Sequence, residues 1–419
     1  MTNWKEYKLG ELIETVSKTF KFSDKKVVFL NTSDTLEGKV INHNLFEPKK
    51  LPGQAKKTIQ PNDILYSEIR PANKRYAFVD FDSSNYVVST KLMVLRVLDE
   101  EIISPKYLYY FLTSDEIVSY LQMLAESRSG TFPQIRFEEV SLLDIKLPPI
   151  NVQNEIVELV ASLDDKIELN NKINQELENL AQTLFKQWFI DFEFPNENGK
   201  PYKSSGGEMV DSELGEIPKG WEVKMVTDFI EVKDGTHDSP KQCEEGNYLI
   251  TSKHLKNSFI DFDSAYKISN EDFVNVNKRS KVDKNDILIT MIGTVGNLYY
   301  VGNEPNYAIK NIGLFKSSTS ESFSIYLYEY LKSSFISEYY RVRLAGSTQQ
   351  YLTLKVLRET PIIYNENIVS AFVDAIKEMR NTVINNSNEN QELTNLRDTL
   401  LPKLISGELE VAEVMAEKA

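Results

Sequence analysis

The sequence predicts an α+β protein in which two pseudo-repeated globular domains are separated by two long antiparallel coiled-coil helices. Three observations predict it: one segment recurs at a constant offset, the apolar period changes from alternation to heptads at corresponding places, and clusters of turn residues break the stretches between.

The repeat is plainest in Asn174-Gln175-Glu176-Leu177-x-Asn179-Leu180-x-x-Thr183-Leu184, which returns as Asn390-Gln391-Glu392-Leu393-x-Asn395-Leu396-x-x-Thr399-Leu400. Weaker echoes keep the same order: Trp4 and Trp221, Asn-Asp-Ile-Leu at 62–65 and 285–288, and Tyr-Leu-Tyr at 107–109 and 326–328. Each copy reads as a mixed domain followed by a long helix. The domains, 1–150 and 221–365, carry alternating apolar stretches at 87–97 and 287–292 between turn clusters such as Asp82-Ser83-Ser84-Asn85 and Gly302-Asn303-Glu304-Pro305. Each also holds an aromatic segment of helical character, at 107–121 and 326–340.

The helices are expected at 151–190 and 366–406. In the first, Ile156, Val160, Leu163, Ile167, Asn170, Asn174, Leu177, Ala181, Leu184 and Trp188 recur at spacings of four and three. The second nearly repeats this from Phe372 to Leu404. Neither can bury such a stripe alone, so the two are expected to pack on each other. Asn170 and Asn174 interrupt one seam and Asn386 and Asn390 the other; in an antiparallel pair Asn170 meets Asn390 and Asn174 meets Asn386, fixing the register. Residues 191–220 are rich in breakers and read as a linker, and 407–419 as a short acidic tail.

Composition bounds the function. The chain has 419 residues and 41% hydrophobic content, enough for more than one core. The opening MTNWKEYKLG has no basic stretch leading into an apolar run, and no segment approaches the roughly 20 apolar residues a membrane span needs, so a soluble cytoplasmic protein without a membrane role is expected. One cysteine, Cys243, and three histidines, His43, His237 and His254, leave little for a disulfide framework or a metal cage. The net charge of −14 speaks against a polyanion partner, yet the acid excess lies in 151–214 and 366–419, and both domains are near neutral. Neither the glycine-rich loop and Asn/Asp-Pro-Pro-aromatic motif of an amino-methyltransferase nor the phosphate loop of a translocating ATPase occurs. A loose nuclease-like pattern, Asp63 with Glu68 and Arg70, is not repeated around Asp286, and both aspartates are read as turn residues before a strand.

Several residues suit DNA instead. Arg70, Lys74 and Arg75 cluster beside Tyr76; Arg128-Ser129-Gly130-Thr131 and Gly346-Ser347-Thr348-Gln349-Gln350 are polar loops at matching places; Lys278-Arg279-Ser280-Lys281 adds a basic knot. Arg279 and Lys310 are expected to neutralise phosphates and Gln349 and Gln350 to read adenine edges. Trp188 and Phe189, on the acidic helical segment, are expected to face partner subunits.

Together these residues resemble the DNA specificity subunit of type I restriction–modification enzymes over nearly the whole chain. The resemblance rests on Leu147-Pro148-Pro149 leading into Gln153-Asn154-Glu155-Ile156, on Leu184-Phe185-Lys186-Gln187-Trp188-Phe189 ending in Asp191-Phe192-Glu193-Phe194, on Leu214-Gly215-Glu216-Ile217-Pro218-Lys219-Gly220-Trp221, and on the run from Leu400 to Leu409. Asp234-Gly235-Thr236-His237 and Gly293-Thr294-Val295-Gly296 resemble family loops that the first domain lacks, which adds Thr236, His237 and Thr294 to the expected DNA contacts. The resemblance implies a non-catalytic subunit that reads a bipartite duplex site, one domain per half-site, and scaffolds two modification subunits and the motor-nuclease subunits. S-adenosylmethionine, ATP and magnesium would belong to those partners, with no cofactor on this chain. The alternative is a coiled-coil scaffold presenting two modules that bind something other than DNA.

Overall fold

The structure, a computed structural model, describes residues 4–23, 25–127, 133–256 and 259–417. Its contacts divide the chain into two compact units, Met1–Ile167 with Glu392–Ala419, and Glu168–Gln391.

In the first unit, four antiparallel strands are ordered Ile13–Thr15, Leu92–Val97, Ile64–Ser67, Tyr76–Phe78. The sheet is apolar on both faces because each is covered. Ile64, Tyr66, Met93 and Leu95 point into a core shared with the helices Pro105–Thr113 and Asp115–Glu126, whereas Leu65, Leu92 and Val94 point into a second core. That second core is shared with another sheet, ordered Leu45–Phe46, Val27–Leu30, Tyr86–Ser89, Ala55–Thr58, in which Val27–Leu30 and Tyr86–Ser89 run parallel. Strand Lys5–Lys8 pairs with Asp144–Leu147 at the entry to the long helix Ile150–Phe185.

The second unit repeats this topology. Its antiparallel sheet runs Val232–Asp234, Ile312–Phe315, Ile287–Thr290, Leu298–Tyr300; its mixed sheet runs Tyr266–Ile268, Asn247–Thr251, Tyr307–Lys310, with the latter two strands parallel. Glu222–Met225 pairs with Pro361–Tyr364, and Glu321–Lys332 and Ser334–Arg341 supply the covering helices. Even the turn before the central strand is duplicated. Asn62 and Asn285 take left-handed backbone (φ 72° and 69°), and the next residue's carboxylate accepts from the backbone three residues earlier, Asp63 from Gln60 and Asp286 from Asp283, both at 2.8 Å. Each of these buried carboxylates holds one cation: Arg96 grips Asp63 with two hydrogen bonds of 2.7 and 2.8 Å, and Lys316 pairs with Asp286.

The helices Ile150–Phe185 and Glu366–Ser406 contribute to both units. Within the second unit they pack antiparallel. Asn170 Nδ2 donates to Asn390 Oδ1 at 2.9 Å, and Asn386 Nδ2 donates to Asn174 Oδ1 at 2.9 Å. Within the first unit Arg397 Nη1 reaches Asp164 at 2.8 Å, and Tyr110 donates to the other oxygen of that carboxylate at 2.9 Å.

Two segments differ from the sequence reading. Residues 191–220 are more than a linker: Phe192, Phe194 and Ile217 are buried in the second unit's core around Trp221, and Met209–Ser212 pairs with Gly215–Pro218 in a hairpin. The breakers Gly199 and Gly206 sit in its tight turns with positive φ. The tail is likewise structured. Gly407 takes left-handed backbone (φ 76°) to end the second long helix, and Val411–Glu417 forms a short helix that buries Val414 in the first unit's core.

A buried ion pair ties the second domain to the helices. Glu329, on the covering helix, is 0% exposed and pairs with Arg380, 5% exposed, whose ring neighbours are Tyr328 and Tyr300. Removing one member leaves the other charge unpaired, so Arg380→Met should destabilise the protein by about 3–5 kcal/mol in denaturant unfolding, and adding Glu329→Met should recover most of the loss. A double variant no more stable than Arg380→Met would count against the pair as the source of the penalty.

Candidate nucleic-acid interface

The antiparallel sheets place the candidate residues. In the second unit Asp234 pairs with Gly313 and Thr290 with Ile312, so the C-terminal ends of Val232–Asp234 and Ile287–Thr290 flank the N-terminal end of Ile312–Phe315. Three connections therefore leave one end of the sheet: 235–239, 291–296, and the corner at Lys310–Asn311.

On that end Thr236, His237, Arg279 and Lys310 gather around Asp234. Thr236 is buried and bridges to Lys310, close enough that a Cβ on Gly235 would sit 2.5 Å from the Ile309 carbonyl oxygen; glycine is required there. His237 Nε2 lies 3.0 Å from Asp234 Oδ2, and its Nδ1 lies 2.8 Å from Asn311 Oδ1. Arg279, from the last turn of Asn270–Ser280, donates to Asp234 Oδ1, and Lys310 donates to Ser239. Thr294, Gln349 and Gln350 form a neighbouring exposed group. The loop 346–350 is closed by paired hydrogen bonds between Ala345 and Tyr351, both 2.9 Å, and is fastened to the 291–296 loop by Leu352 N donating to Met291 O at 2.9 Å.

The first unit offers the same end with different chemistry. Ile64–Ser67 ends opposite the start of Leu92–Val97, toward which the chain leaving Ile13–Thr15 runs, Val16 N donating to Val94 O at 2.8 Å, and the connection after Ser67 carries Arg70, Lys74 and Arg75. Arg70 and Lys74 take left-handed backbone (φ 48° and 51°) on either side of the turn Pro71–Asn73. Arg70 is exposed. Lys74 pairs with Asp115 at 2.9 Å; burial lowers its pKa, but Asp115 and neighbouring carboxylates raise it overall. Arg75 is a brace, donating to the Ser33 and Thr35 carbonyls at 3.2 and 3.1 Å. Arg128, Ser129 and Thr131 lie outside the described residues.

Sequence reasoning missed a basic strip beside this end. Residues 17–22 run along the edge strand Ala55–Thr58, with Thr58 N donating to Lys18 O at 2.9 Å, and set exposed Lys18, Lys21, Lys56 and Phe22 along one sheet edge, while Lys57 turns inward and donates to the Leu92 carbonyl at 2.8 Å. The available signal was basic residues alternating with aromatics in Ser17-Lys18-Thr19-Phe20-Lys21-Phe22. Burial holds the Lys57 ammonium below the usual lysine range, Glu68 opposes that shift and Lys91 adds to it.

Phe189 corrects the expected partner face. It is 0% exposed, stacked on Phe185 and packed against Trp221, Tyr326 and Phe372, so it cannot meet another chain. Trp188 is half-buried against Phe372. Heptad spacing hid this because the aromatics that surround Phe189 come from distant parts of the sequence.

A family model described as the type I restriction modification DNA specificity domain matches residues 1–179 and 218–394. The specificity subunit of the type I restriction enzyme HindI from Haemophilus influenzae is 34% identical over 463 residues, spanning 98% of this chain and 100% of that one. The MjaIX specificity subunit of Methanocaldococcus jannaschii is 28% identical over 327 residues, 76% of this chain and 72% of its own. Among solved structures, the S subunit of a type I restriction–modification system from M. genitalium covers 96% of each chain at a TM-score of 0.50 and 16% identity, a likeness of fold.

The two exposed groups of the second unit should respond differently to substitution. Lys310→Ala is expected to weaken duplex binding at all sequences and to flatten the salt dependence by up to about one unit of slope. Replacing Gln349 and Gln350 by Ala should instead relax base preference, by about 1–3 kcal/mol per well-made amide–adenine pair. Unchanged sequence preference in the double glutamine variant would make those two residues scaffolding.

Proposed function

Because the chain belongs to the family of type I restriction–modification DNA specificity subunits, we propose that each of its domains reads one half of a split duplex site. The chain supplies specificity within a multi-subunit restriction–modification complex. The observation that carries the two-half reading is the duplicated sheet end: one topology offers the same set of connections twice, with Arg70 and the 18–56 lysines in one domain and His237, Arg279 and Lys310 in the other. A single frame bearing two sets of side chains suits two different base sequences. Mapping methylated adenines in cells carrying the system tests this. The expected motif is split, with half-sites centred about one duplex turn apart, and a continuous motif would overturn the reading.

The catalytic work falls to the partners: two modification subunits carrying S-adenosylmethionine, and motor-nuclease subunits carrying ATP and magnesium. The asparagine pairs along the long helices would fix the register that sets the spacer between half-sites. With Phe189 buried, the dock for a modification subunit is better sought in Leu169, Ile173 and Leu180, which are exposed along the first long helix at helical spacing. Leu169→Glu with Ile173→Glu should release the modification subunits, seen as a lower assembly mass in solution, while leaving thermal stability near that of the wild type. Phe189→Ala should do the reverse, costing about 3–5 kcal/mol of stability as a large buried ring is lost. An intact assembly in the double glutamate variant would move the dock elsewhere.

A further inference from the structure

Arg279 and Lys310 both stand on the exposed end of the second domain, but their partners differ in charge. Lys310 is held by the hydroxyl of Ser239, a neutral partner. Arg279 is held by the carboxylate of Asp234, which is 7% exposed and fixed in its strand, while the Arg279 side chain is 56% exposed. Asp234 is fixed further by His237, and His237 by Asn311, so four residues from a strand, a loop, a helix and a corner form one chain of contacts. The helix that carries Arg279 is anchored by buried Val276 and Ser280, and capped by Ser269, whose hydroxyl accepts from Asp272 N at 3.1 Å.

This arrangement is poor for gripping a phosphate. The Arg279–Asp234 pair is neutral as a unit, so the attraction of a phosphate for the guanidinium is largely offset by repulsion from the carboxylate beside it. Donation to a neutral acceptor is not offset. Asp234 takes one hydrogen of Nη2, and among the described residues Nε and Nη1 have no partner, so the second Nη2 hydrogen and the parallel N–H of its neighbouring nitrogen leave a planar fork free in a side chain whose rotamer freedom is already spent. Guanine is the base whose major-groove edge offers two acceptors, O6 and N7, to such a fork.

We infer that Arg279 reads a guanine in the half-site met by the second domain, and that Asp234 is the positioning residue that aims it. This rests on the reading of that domain as a half-site reader, and assigns to Arg279 a base contact in place of the phosphate contact expected from sequence.

The test is equilibrium binding of the complex of the full chain with its methyltransferase subunits to duplexes carrying the methylated motif, each base pair substituted in turn. The wild type should lose roughly 5- to 150-fold in affinity when one particular G·C pair is replaced. Arg279→Ala should abolish that single penalty and keep those at the other pairs, and the double variant Arg279→Ala with Asp234→Asn, which removes a neutral pair, should leave the salt slope nearly unchanged. Arg279→Lys keeps the charge pair but offers no planar fork, so it should lose the same penalty and carries the test if the alanine variant folds poorly. Asp234→Asn should reduce the same penalty and steepen the salt dependence by up to about one unit, because Arg279 would then carry an uncompensated charge. If both Arg279 variants retain every penalty of the wild type, or if the Arg279→Ala/Asp234→Asn double variant flattens the salt slope by about one unit, the assignment is overturned while the specificity role stands. A wild-type complex that binds all the duplexes alike would instead overturn the half-site reading itself.

Discussion

A carboxylate with no access to water must keep a cation beside it, and the second unit is organised around that requirement. Glu329 sits on the covering helix of the second domain, and the cation it needs, Arg380, sits on the second long helix. Around them Glu178 and Gln182 of the first long helix complete the set, Gln182 donating to the Glu329 carbonyl at 3.0 Å and Glu178 taking Lys332 at 3.2 Å. Domain and both helices therefore meet in one polar network inside an otherwise aromatic core. Such a network is demanding of geometry, since a small displacement strands a charge. It gives the domain one seat on its helices where apolar packing alone would tolerate several.

From that seat the sheet carries the rest. Its central strands are apolar on both faces, one side covered by helices and the other by the mixed sheet, so variation is confined to the connections at its ends. In both units the same end presents the loops that bear the candidate DNA contacts. On that end the first domain carries lysines with Phe22 and the Arg70 turn, and the second a carboxylate-centred group with Arg279 and His237. The frame is shared because it is set by buried residues. The contacts differ because nothing in the core constrains them.

The aromatic side chains follow the same division. Phe189 and Trp188 look like an aromatic patch only while the chain is read as a line; folded, they belong to a cluster with Phe185, Trp221, Tyr326 and Phe372. The exposed Leu169, Ile173 and Leu180 are less conspicuous in sequence, but they are what the first long helix leaves uncovered.

The sequence by itself determined the α+β class, the duplication, the two long helices and the asparagine positions, because period and repeat are local properties that survive without coordinates. It also marked His237, Arg279 and Lys310 as polar residues of interest. It could not tell that Arg279 leans on Asp234 while Lys310 leans on Ser239, nor that Arg75 braces the turn at 33–35. Nor could it tell that residues 191–220 and the acidic tail bury Phe192, Phe194 and Val414. Those facts depend on which distant segments share a surface, and only tertiary packing decides whether an arginine faces a carboxylate, a carbonyl or water.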